Sequence, residues 1–273
     1  SLVSRRIGEK NRPLASRTAF QAIVTGLIVS LLIAVPGGIF SADLLDLMGA
    51  DDEIVEKMSG YARLMISGNV VIMLLFIINA VFRSAGDAAV AMRVLWIGNI
   101  INIILDPLLI FGWGPVPALG IRGAAIATAT GRGLAMAYQF WMLFRGRHRI
   151  SLRLADLIPD WSIIRTLLRL AAGAAGQHLI STSSWIFLMR LVSHFGSSAV
   201  AGYTIALRIM FFALMPSFGI SNAAATLVGQ NLGAGRPDRA RRAAWIISLV
   251  NVVFLGAIGL VLSLRPETFI GLF

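Results

Sequence analysis

The 273-residue sequence contains no cysteine, which excludes disulfides, thiolate metal sites and cysteine nucleophiles and leaves the redox compartment undetermined. Charge is scarce as well, at 14% of residues, and acids are scarcer than bases, 13 against 24. No HExxH, GxSxG or paired-carboxylate hydrolase pattern occurs. The glycine-rich stretch Gly229 to Gly235 lacks the Lys-Ser/Thr ending of a phosphate loop. An enzyme is not expected, and neither is a resident cofactor. The strand alternation of an outer-membrane barrel and a signal peptide are also missing.

What remains is apolar. Hydrophobic residues make up 57% of the chain and the mean hydropathy is +0.81, too little polar surface to coat a soluble globule. Apolar stretches of about 20 residues recur along the chain, each long enough to cross a bilayer as a helix. The composition therefore predicts an all-α integral membrane protein that contacts lipid. The formal charge of +11 comes from short basic runs between apolar segments, which is topogenic charge rather than a nucleic-acid surface.

Seven spans are expected, at about 18–41, 61–82, 90–111, 121–144, 165–192, 199–228 and 243–264. Residues 1–17 hold five bases and one acid, so this end is assigned to the cytoplasm. The loop after the first span, from Asp43 to Glu56, is acidic and is assigned outside. Basic runs at Arg83 to Arg93, Arg145 to Arg153 and Arg236 to Arg242 then all fall inside, as the positive-inside rule requires. Residues 150–161 form an amphipathic surface linker between residues 1–149 and residues 162–273.

One stretch in the third span carries the chemistry. Asn99, Asn102 and Asp106 interrupt an aliphatic run and fall within about 60° of one another on a helix, giving a narrow polar stripe. Pro107 has no amide hydrogen, so the Ile103 carbonyl loses its intrahelical donor. Such oxygens suit a small cation, or a proton relay if the carboxylate titrates. The alternative is a helix end marked by Asp-Pro.

Other polar residues are weaker markers. Arg132 is a charge in mid-span; it is read as a structural clamp, with pairing to an acid or to helix carbonyls as its functional alternative. Gln177 and His178 are possible cavity-lining residues, and Pro216 is a possible hinge.

Laying residues 2–20 on residues 227–245 matches Leu2 with Leu227, Val3 with Val228, Gly8 with Gly233, Ala15 with Ala240, Arg17 with Arg242 and Ala19 with Ala244. Six spans separate the copies, so they share one orientation and predict parallel repeats. An offset of 225 residues implies a parent of about 450 residues and twelve spans, from which this internal fragment lacks the first two and the last three.

Three motifs then stand in order: Phe82-Arg-Ser-Ala-Gly-Asp87; Asn102 to Pro107 with Gly120-Ile-Arg-Gly-Ala-Ala-Ile-Ala-Thr128; and Gly229-Gln-Asn-Leu-Gly-Ala-Gly-Arg-Pro-Asp-Arg-Ala240. Together they resemble the multidrug and toxic compound extrusion (MATE) family, over its third to ninth helices. The resemblance implies two six-helix lobes: helices three to six in residues 1–149 and helices seven to nine in residues 162–273. It also implies a bacterial inner-membrane protein, monomeric, exporting amphipathic or cationic organic compounds and drugs by Na⁺ or H⁺ antiport.

In the family, coupling residues on the fifth helix match Asn102 and Asp106, and a sixth-helix hydroxyl matches Thr128. The family's first-helix Asp lies outside the fragment. The region Gln177 to Thr182 lacks the seventh-helix Glu of the branch typified by NorM, which points to the DinF-like branch. A lipid-linked precursor flippase of the same superfamily is the alternative cargo reading, and a non-transporting membrane scaffold is the alternative of another class.

Overall fold

A computed structural model of the chain describes residues 2–48, 51–113, 115–146, 149–152 and 158–265. Among the described residues run nine α-helices: α1 (Leu2–Gly8), α2 (Arg12–Ile39), α3 (Ser41–Leu47), α4 (Asp52–Ala85), α5 (Ala88–Phe111), α6 (Gly120–Phe144), α7 (Trp161–Ser193), α8 (Ser197–Gly233) and α9 (Pro237–Leu264). The seven long ones have 24 to 37 residues. At 1.5 Å per residue each exceeds the roughly 30 Å hydrocarbon core.

These seven coincide with the expected spans. Five of them, α2, α4, α5, α8 and α9, are also apolar enough to cross a membrane by composition. The other two are interrupted by polar residues: Arg122, Arg132 and Gln139 in α6, and Arg165, Arg169, Gln177, His178 and Arg190 in α7. Their lower hydropathy is a property of side chains, and the helices themselves are continuous.

Several helix ends differ from the expected bounds: α2, α4 and α9 start six to nine residues early, and α8 runs five residues on to Gly233. Helix α2 passes through Pro36, Gly37 and Gly38 and ends at Ile39, two residues short of the expected 41, and the Phe40 amide closes on the Pro36 carbonyl. A proline removes one rung of the ladder, and where the surrounding turns stay intact the helix continues. Helix α4 starts at Asp52, well before residue 61, with Asp52 and Glu53 in its first turn. Carboxylates there face the positive end of the helix dipole.

The chain divides into two compact units, Lys10–Asp160 and Val3–Glu9 with Trp161–Phe273. In the first unit α5 and α6 form an antiparallel pair, α2 lies antiparallel on α4, and α4 runs parallel to α6. Its core holds Ile78, Phe82, Val94 and Leu143, all fully buried. The chain leaving α6 closes this core: Ile150 and Leu152 are buried, and the Leu152 amide bonds to the Leu143 carbonyl at 3.2 Å. Arg149 reaches the Ala85 carbonyl at 3.3 Å, the Ser151 amide donates to Ser16 Oγ at 3.4 Å, and Gln21 Nε2 donates to the Ile158 carbonyl at 2.8 Å. The two flanks of the expected surface linker are therefore tied into the unit. Its centre, residues 153–157, lies outside the described residues.

In the second unit α7, α8 and α9 follow one another as hairpins. Trp185 stacks on Phe211 at 5.6 Å, and Asn251 Nδ2 donates to Ser221 Oγ at 3.3 Å. Most apolar side chains here are exposed, the pattern of helices that face lipid or other helices.

The sequence repeat is written into the backbone. Helix α1 ends at Gly8 and α2 begins at Arg12; α8 ends at Gly233 and α9 begins at Pro237, each 225 residues on. Between the helices Lys10 has φ 57° and its counterpart Gly235 has φ 68°. The Glu9 amide donates to the Arg5 carbonyl at 2.9 Å, and the Ala234 amide to the Gln230 carbonyl at 3.0 Å. Ala15 and Ala240 are both buried.

Candidate functional site

Three side chains meet in the first unit, toward the Phe111 end of α5. Asn102 and Asp106 stand one turn apart on α5, and Asn102 Nδ2 donates to Asp106 Oδ1 at 3.2 Å. The same nitrogen lies 3.4 Å from Thr128 Oγ1 on α6. The cluster is half-buried, and Asp106 lies roughly 8 Å below the end of α5 at Phe111.

The α5–α6 hairpin sets this register. The Leu119 amide bonds back to the Leu109 carbonyl at 2.9 Å, fixing the turn. Further in, Gly131 lies so close to α5 that a Cβ there would stand 2.9 Å from the Gly98 carbonyl and 3.5 Å from Asn102 Cβ. Only a residue without a side chain permits that approach, and the approach lets Asn102 reach Thr128.

Chemically the cluster offers one carboxylate, one amide and one hydroxyl. Among the described residues no group of three His, Cys, Asp or Glu gathers. The donors suit a monovalent cation or a proton. Asn102 presents its nitrogen to both neighbours, and a half-turn of the amide would present Oδ1 in its place, converting a donor into a third oxygen ligand.

The remaining sequence-predicted residues fall elsewhere. Asn99 is exposed and stands outside the cluster. Pro107 lies within α5, and the Ile103 carbonyl accordingly has no amide at position 107 to accept from. Gln177 and His178 are exposed on α7, and Pro216 sits inside an uninterrupted α8. Arg132 lies one turn below Thr128 on α6; the two residues line a cavity of about 10 Å³ together with Leu64, Met65, Gly68, Val71, Ile72 and Ala129 of α4 and α6. That is room for about one water molecule. Asp87 occupies the cap position of α5, yet its side chain does not bond the first-turn amides.

Two further amides lie buried in the same unit. Asn79 on α4 and Gln139 on α6 are fully buried, and Gln139 Nε2 lies 3.5 Å from the Leu75 carbonyl. A lone amide in an apolar run gives no period to follow, so only packing reveals it.

Comparison with known proteins converges on one family. The MatE family profile matches residues 1–108 and 174–273. The chain is 30% identical over 279 aligned residues to a probable multidrug resistance protein NorM of Thermotoga maritima, covering 99% of this chain and 58% of that protein. It is 32% identical over 256 residues to an FAD transporter of Shewanella oneidensis, covering 92% of this chain and 56% of the other. Among solved structures, an outward-facing multidrug resistance MATE transporter of the MOP superfamily superposes with a TM-score of 0.90 at 26% identity, over 99% of this chain and 60% of that one. The chain thus spans somewhat under two thirds of the length of these relatives. With seven long helices and this profile match, it is a multi-pass membrane protein that belongs to the multidrug and toxic compound extrusion family.

Proposed function

We propose that the protein is a monomeric secondary transporter of the bacterial inner membrane that exports amphipathic or cationic organic compounds in exchange for Na⁺ or H⁺, with Asp106 as the coupling carboxylate. The observation that carries this reading is the Asn102–Asp106–Thr128 cluster. Of the 13 acids in the sequence, Asp106 alone lies well inside an apolar span. An intramembrane carboxylate is costly and is kept where it binds or moves something. The lack of an acid between Gln177 and Thr182 supports placing the coupling in the first unit, as in the DinF-like branch.

A gradient can drive export only if the ion favours one conformation over the other, so a site whose ligands come from two helices, α5 and α6, is apt. Movement of α6 relative to α5 would separate Thr128 from Asn102 and weaken the site. Asp106→Asn in the full-length protein, in proteoliposomes, should lower ion-driven efflux at least tenfold, while Thr128→Ala lowers it less. Unchanged efflux of every drug tested with Asp106→Asn would overturn the reading.

A second reading, an anionic dinucleotide as cargo, is favoured by the similarity to the S. oneidensis FAD transporter. The same vesicles loaded with FAD distinguish the two.

A further inference from the structure

We propose that Arg132 is the built-in counter-charge of the Asp106 cluster and sets how tightly the coupling cation is held. The inference rests on the coupling role of Asp106 and names the residue that tunes it.

Arg132 stands in the middle of α6, twelve residues from its outer end at Gly120. A guanidinium at that depth needs a counter-charge or water. The sequence supplies one embedded acid, Asp106. Among the described residues no carboxylate lies within ion-pair distance of Arg132.

Two features bring its charge toward the cluster. The α4–α6 register sets Gly60 against Arg122, Gly68 against Ala129 and the Leu75 carbonyl against Gln139, which places the Arg132 backbone level with residues 69–71. The cavity it lines reaches outward from there to Leu64 and Met65, and Thr128 shares that cavity. Side chains on a helix lean toward its amino terminus, here the outer end, so the guanidinium is carried toward the Thr128 turn. Thr128 is joined to Asp106 through the single nitrogen of Asn102, by contacts of 3.4 and 3.2 Å. The guanidinium thus lies within roughly 10 Å of the carboxylate, with room for about one water beside Thr128.

At that separation and an effective dielectric of about 20, a fixed positive charge weakens the binding of a second one about tenfold. Arg132 therefore keeps the site loose enough for its cation to leave. A carboxylate with no counter-charge in a poorly solvated lobe would hold its cation through the cycle, and a transporter must release it.

The test is a titration of the purified full-length protein with Na⁺ and, separately, with protons, followed by tryptophan fluorescence, for wild type, Arg132→Met, Arg132→Lys and Asp106→Asn. Arg132→Met should bind whichever ion the wild type binds about tenfold more tightly, and Arg132→Lys should resemble wild type. Unchanged affinity in Arg132→Met, or Arg132→Lys behaving like Arg132→Met, would overturn the proposal. Should Arg132→Met unfold, its thermal stability is compared with that of Asp106→Asn/Arg132→Met. Recovery in the double variant supports the charge pairing, and equal instability assigns the guanidinium to packing and removes it. Asp106→Asn that still titrates would instead remove the coupling role of Asp106, a separate failure.

Discussion

An amide nitrogen has two hydrogens to donate, and Asn102 aims the same nitrogen at Asp106 and Thr128. The first of these contacts was legible in the sequence, because residues four apart on a helix share a face. The second needed the close passage of Gly131 beside Gly98, which no periodicity reports. Asn99 shows the limit of angular reasoning: it shares the stripe by phase, yet the face that packs on α6 runs through Gly98 and Asn102 and leaves it exposed. A different residue-scale prediction follows from Lys10, the one non-glycine described residue with positive φ. Its repeat partner at the same turn is Gly235, which takes that conformation without a Cβ penalty. Lys10→Gly should raise stability by about 1 kcal/mol and Gly235→Ala should lower it by a similar amount, read from thermal unfolding of the purified protein.

At the scale of helices, existence and order were readable from hydropathy and charge, and the ends were not. Helix α2 passes through Pro36 and its two following glycines, because one missing rung does not break a helix held on both sides. The segment after α6 is amphipathic, and its apolar residues Ile150 and Leu152 are buried. Alternating apolar residues do not say which surface they cover. The element that matters most for the site is the α5–α6 pair. A Cβ at Gly131 would stand 2.9 Å from the Gly98 carbonyl, so Gly131→Val must push the helices apart. We expect it to cost about 1–3 kcal/mol and to weaken ion binding as well, since Thr128 would no longer reach Asn102. Thermal unfolding and the ion titration check both; loss of stability with ion affinity intact would show that Thr128 is dispensable.

At the scale of the whole molecule the repeat predicts more than similar sequences. Gly8 and Gly233 are repeat partners, and so are Arg5 and Gln230. In the second unit a Cβ on Gly8 would run into the Gln230 carbonyl, and a Cβ on Gly233 into the Arg5 carbonyl. The contact is reciprocal, as across a two-fold axis, where residue i meets j and the copy of j meets the copy of i. A crossing this close leaves no room for any side chain, which explains why both copies hold glycine at that position. Gly8→Leu and Gly233→Leu should therefore be equivalent, each costing about 1–3 kcal/mol by overpacking. The double variant should cost clearly less than twice as much, because either leucine already pries the same crossing open. Thermal unfolding of the two single variants and the double measures this directly. Unequal single effects, or effects that simply add, would mean that the two glycines serve unrelated contacts and that the backbone symmetry of the two turns does not extend to their packing.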